Sequence, residues 1–124
     1  MSTKVIKSSE GLTARQILGI TSRSDATPLK DVEHGTVIPY CGFIEQEIVN
    51  EATGEVFNSV LLISEPDENG DRKIYATRSE SFIRSLYEII DTLLEMNDTD
   101  PFSVKIEKLK SKNGREFVTC SLAE

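Results

Sequence analysis

Residues 79–96, SESFIRSLYEIIDTLLEM, decide the fold. Phe82, Leu86, Ile89, Ile90, Leu93 and Leu94 recur at helical spacing, which places them along one face of an α-helix. On either side of this stretch the apolar residues instead alternate, with turn residues at the breaks. Thr77 and Glu80 are spaced as a capping box for the helix, and Ser79 is a rival cap. Pro101 ends it, because proline cannot continue a helix and biases Asp100 away from the α region.

Toward the N-terminus, TVIPYCGFIEQEIV (36–49) is a long strand whose alternate residues Ile38, Tyr40, Ile44 and Ile48 face a core. Pro39 and Gly42 interrupt it, and the glycine predicts a bulge or a sharp bend. EVFNSVLLI (55–63) returns after the turn NEATG, and RKIYATR (72–78) follows the Asn-Gly turn of EPDENGD. Beyond the helix, FSVKIEKLK and REFVTCSL form a hairpin across SKNG. The order strand, strand, strand, helix, strand, strand predicts a mainly β domain over residues 31–124, an OB-like five-stranded barrel with one helix. Residues 1–30 read as an N-terminal arm or capping segment. Within it LTARQILGI makes a short helix with Thr13 as cap and Ile17 and Leu18 on its apolar side, and SRSDATPLKD is loop.

The 124 residues carry a formal charge of −7, distributed unevenly. Residues 1–30 hold +3, residues 31–100 hold −12 and residues 101–124 hold +2. No apolar run approaches the ~20 residues of a membrane span. MSTKVIKSSEG lacks the apolar run of an export signal, so the expected location is the cytoplasm, with Cys41 and Cys120 as reduced thiols. His34 is the lone histidine, and neither metal-ligand spacing, nor a nucleophile elbow, nor a Walker loop is present. No enzymatic activity, cofactor or metal is expected.

The chemistry that stands out is cationic and aromatic. Lys105, Lys108, Lys110, Lys112 and Arg115 cluster on the last hairpin, and between Lys105 and Arg115 they face the single acid Glu107. One or two such lysines guard a strand edge against aggregation, whereas five within eleven residues suggest a polyanionic partner. Three rings fall out of phase with the apolar alternation: Phe43 beside Glu45 and Glu47, Tyr75 beside Lys73 and Thr77, and Phe117 beside Arg115 and Thr119. Rings next to cations on one sheet face are what single-stranded nucleic acid requires, the rings stacking on bases and the cations following phosphates. Each ring has a second reading, as a residue packed under the helix or the N-terminal arm. Phe57 is ambiguous because both faces of its strand are apolar, with the core the favoured place. Arg78 stands where a helix begins, an end that mildly disfavours a cation, so a partner for it is expected.

IYATRSESFIRSLYEI (74–89) and VKIEKLKSKNGREFVTC (104–120), with GTVIPYCGFIEQEI (35–48), resemble the small single-stranded DNA-binding proteins of bacteriophages and of mobile elements in Gram-positive bacteria. The resemblance covers roughly residues 32–122 and is sharpest in SKNGREFVTC. It implies an OB-like barrel without enzymatic activity that coats displaced strands during replication or recombination, with Lys110, Lys112, Arg115 and Phe117 touching DNA. It also implies the host cytoplasm, and as further partners a second copy held through strand edges and a replication protein. The acidic middle segment and the short SLAE ending depart from the pattern, since bacterial cousins recruit partners through a long acidic tail. The alternative from another class is an acidic phage-type interaction protein that binds or inhibits a host protein.

Overall fold

The computed structural model describes residues 2–9, 11–23 and 25–123; Met1, Glu10, Ser24 and Glu124 lie outside it. The elements in chain order are β1 (Ser2–Ser8), α1 (Ala14–Thr21), β2 (Thr27–Pro28), a 3₁₀ turn (Leu29–Asp31), β3 (Val37–Asn50), β4 (Glu55–Ser64), β5 (Ile74–Thr77), α2 (Glu80–Glu95), β6 (Ser103–Lys110) and β7 (Glu116–Ala123). The chain is therefore mainly β with two α-helices. Its strands pair in the order β2-β5-β4-β3-β6-β7, with β1 added to β3, and the sheet curls into a half-barrel.

Over residues 31–124 the elements keep the expected order (β3, β4, β5, α2, β6, β7), but the sheet has seven strands rather than five among the described residues. The additional elements come from residues 2–31. STKVIKS shows no period-two signal because its two apolar residues, Val5 and Ile6, are adjacent. It is a strand through its antiparallel pairing with β3, from Ser2 opposite Val49 to Ser8 opposite Ile44. SRSDATPLKD, expected as loop, contains β2, which pairs in parallel with β5, and the fully buried Leu29. Helix α1 forms as expected: Thr13 caps it by accepting from Gln16 N–H, while the Gln16 side chain accepts from Thr13 N–H. Ile17 packs inward, but Leu18 is 67% exposed.

Strand β3 carries the decisive irregularity. Tyr40 lies opposite Ser64 and Gly42 opposite Ile63, so Cys41 is one residue too many and the strand bulges there. Ile38 faces the larger core before the bulge; afterwards Phe43 does, while Ile44 turns to a second cluster on the opposite face. An extra residue inverts the parity of all that follows. A Cβ at Gly42 would meet Ser9 Oγ at 2.7 Å, and that oxygen accepts from Phe43 N–H at 3.0 Å. Glycine thus lets the end of β1 lie against the bulge.

The larger core holds Leu29, Ile38, Phe43, Val60, Leu62, Phe82, Leu86, Val104, Ile106, Val118 and Cys120. Burying the Phe82 and Leu86 side chains contributes about 1.5–3 kcal/mol each and fixes α2 against β7. The second cluster, Ile44, Leu61, Ile63 and Ile74, is covered by Leu12, Ile17 and Ile20, so β3, β4 and β5 are buried on both faces. Helix α2 is capped by Ser79, whose Oγ accepts from Phe82 N–H at 3.3 Å; Thr77 Oγ1 accepts from Ser79 N–H instead. Cys41 and Cys120 are both free.

Candidate nucleic-acid interface

No hydrogen-bond ladder joins β5 to β7, which leaves an open seam in the half-barrel. Ser79 spans one end of it, donating from Oγ to Val118 O at 2.6 Å. Along the seam lies a groove of about 730 Å³, whose lining includes Pro28, Lys30, Arg78, Phe117 and one acid, Glu116, together with Ser59 and Val118. Ser59 and Val118 are buried, Phe117 is half-buried, and Lys30 and Arg78 are exposed. The Arg78 guanidinium carbon sits 4.1 Å from the centroid of the half-buried Phe57 ring, a cation–π contact that orients it at the groove.

The basic hairpin flanks this groove, but its charges do not act together. Alternation puts Val104, Ile106, Lys108 and Lys110 on one face of β6 and Lys105 on the other. Lys105 therefore lies on the other face from Lys108 and Lys110, contrary to the expectation that all five cations share one surface, and none of the five lines the groove itself. Lys108 is half-buried: its N–H donates to His34 Nδ1 at 2.8 Å and its Nζ donates to Lys30 O at 2.6 Å. Lys110 lies opposite Glu116 and Leu109 opposite Phe117, and Lys112 and Arg115 belong to the tight turn closed by Ser111 N–H donating to Arg115 O.

The rings are likewise divided. Phe43, expected on the outer face, is 3% exposed and packs against Tyr87 of α2 with ring centroids 5.1 Å apart. The cause is the bulge at Cys41, which rotates Phe43 inward. Glu45 follows it and accepts hydrogen bonds from the Tyr87 hydroxyl and, at 3.2 Å, from Asn58 Nδ2. Burial, with the carboxylate second, raises the Tyr87 hydroxyl far above its ordinary range. Tyr75 is half-buried against the larger core and lines a separate groove with Lys73, Arg72 and Arg23. Of the three rings only Phe117 reaches the seam.

One residue at the seam, Lys30, escapes the sequence reading, and Phe57 beside it stays ambiguous there. Lys30 arrives there because β2 pairs with β5 and Leu29 plugs the core, a long-range arrangement with no local signal. Phe57 had a signal, an aromatic beside Asn58 and Ser59, but its partner Arg78 comes from 21 positions along the chain.

The chain matches the sequence model of a family described as phage single-stranded DNA-binding protein, of the phi29 type, over residues 3–123. No curated protein and no solved structure matches it in the corresponding comparisons.

Proposed function

Since this chain belongs to the phage single-stranded DNA-binding protein family, we propose that it is a non-catalytic, sequence-tolerant protein that coats strands displaced during phage-type DNA replication or recombination in the host cytoplasm. The observation that carries the proposal is the seam between β5 and β7, where Phe117, Arg78 and Lys30 meet beside a cationic hairpin. In this reading the fold is an OB-like barrel opened at that seam, with β2 and the 3₁₀ turn lying along β5.

The geometry supports a division of labour. The Phe117 ring stacks on a base, which is worth ~1–3 kcal/mol. Arg78, Lys30, Lys110, Lys112 and Arg115 neutralise phosphates, while Lys108 holds the 3₁₀ turn against β6 and adds its charge from there. Phe43 is assigned to the core. No base edge needs to be read for such binding, in keeping with a protein that covers any sequence.

The test is a gel shift with a thirty-nucleotide oligo-dT across a range of salt. Four or five neutralised phosphates predict a slope of log affinity against log salt of about −3, from ~0.7 per contact on a single strand. Binding that ignores salt, or no binding at all, would overturn the proposal.

A further inference from the structure

We propose that a bound strand continues beyond the seam into a second groove, which Arg23, Arg72, Lys73 and Tyr75 line and which lengthens the footprint on DNA. This deepens the DNA-binding reading above and rests on it.

The two grooves are joined by the backbone that forms them. Thr27 and Tyr75 are register partners and line the second groove; Pro28 and Ala76, the next partners along the same two strands, line the seam. Strand β5 has only four residues, so about 10 Å of chain separates its ends. Thr27 and Pro28 between the grooves are exposed and uncharged. The second groove encloses about 800 Å³, within the range that takes a nucleotide-sized ligand.

Its charge balance favours a phosphate chain more than its composition suggests. Three carboxylates line it, but two already accept hydrogen bonds. Asp25 accepts from Arg23 Nε at 2.8 Å and Nη2 at 2.7 Å, and Asp67 Oδ1 accepts the N–H groups of Asn69 and Asp71 at 2.8 and 3.0 Å. That bidentate pair fixes the Arg23 guanidinium and leaves its Nη1 free of Asp25 to donate to a phosphate. Arg72 and Lys73 are exposed and enter no ion pair among the described residues. Tyr75 supplies a half-buried ring on the same wall. Asp71 and Asp67, whose amide hydrogen bonds leave its charge in place, are the carboxylates that oppose an incoming phosphate.

The experiment measures salt-dependent affinity for thirty-nucleotide oligo-dT with four proteins: wild type, Arg72→Ala, Asp71→Asn and Arg84→Ala. Arg84 is exposed on α2 and lines neither groove, so its loss removes the same charge elsewhere. All three positions are exposed, and circular dichroism verifies the fold of each variant. Arg72→Ala should make the salt slope shallower by about 0.7, the value of one single-strand contact. Asp71→Asn should tighten binding by about twofold, as expected for removing a like charge in high dielectric. Arg84→Ala should leave the slope unchanged. Wild-type binding with the same slope in Arg72→Ala, or an equal drop in Arg84→Ala, would overturn the second groove while leaving the seam standing. Failure of the wild type to bind would instead overturn the DNA-binding proposal itself.

Discussion

Two aromatic neighbourhoods in this protein look alike in sequence and differ in kind. Phe43 and Tyr87 meet beneath α2, with Glu45 and Lys7 around them; Lys7 Nζ lies 4.2 Å from the Tyr87 ring centroid. Phe57 and Phe117 flank the seam, with Arg78 over the first ring and Lys30 lining the same groove as the second. Each is a pair of rings with a cation close by. In the first, the ring edges and the carboxylate are spent on one another, and the outcome is a helix tied to a sheet. In the second, the rings are half-buried and the cations reach solvent, so the outcome is a surface with capacity left for a ligand. A ring beside a charge becomes a binding group only where the fold leaves one side of it open.

The largest effect that sharpens this contrast is on stability. Phe43→Ala should lower the free energy of unfolding by about 3–5 kcal/mol, the range for truncating a buried phenylalanine. Urea denaturation measures it, and the folded fraction should keep its DNA affinity. If the variant unfolds normally but loses binding, the assignment of Phe43 to the core is wrong. Phe117→Ala is the mirror case. It should weaken binding to oligo-dT by ~1–3 kcal/mol with a smaller change in stability, read by titration and thermal melts together.

A smaller effect belongs to the buried side alone. Burial raises the Tyr40 hydroxyl to about 12, and burial together with the nearby Glu107 charge raises the Cys120 thiol to about 12. Both groups are then neutral in the folded chain where the unfolded chain has begun to lose its protons. The folded state holds more protons, so stability falls as pH rises above about 9. At pH 10 the loss from Cys120 is on the order of 1 kcal/mol. Denaturation midpoints between pH 8 and 10 measure it, and Cys120→Ala should flatten the decline. A seam thiol or hydroxyl would show no such dependence.

Much of this was legible along the chain. The switch from period two to helical spacing at Ser79, the Thr13 cap and the SKNG turn are local signals, and the structure keeps them. The bulge at Gly42 was legible too; its consequence was not. Counting alternation through the bulge as though the strand were regular placed Phe43 outside. Once Cys41 is skipped, Phe43 and Glu45 turn to the helix, where they are found. The same alternation on the unbulged β6 separates Lys105 from Lys108 and Lys110, which a count of charges conceals. Lys30 and Leu29 were beyond reach for another reason. Their positions depend on a two-residue strand pairing with a segment 48 positions away, and no local period records that.

The Ser79 hydroxyl accepts from the first turn of α2 and donates to the carbonyl of Val118. One oxygen thus serves as both the end of a helix and the clasp of the cleft. A molecule that wedges the cleft wider breaks the clasp and leaves the helix cap as that hydroxyl's remaining bond. Opening of the cleft and the strength of the helix cap are then coupled through a single rotor.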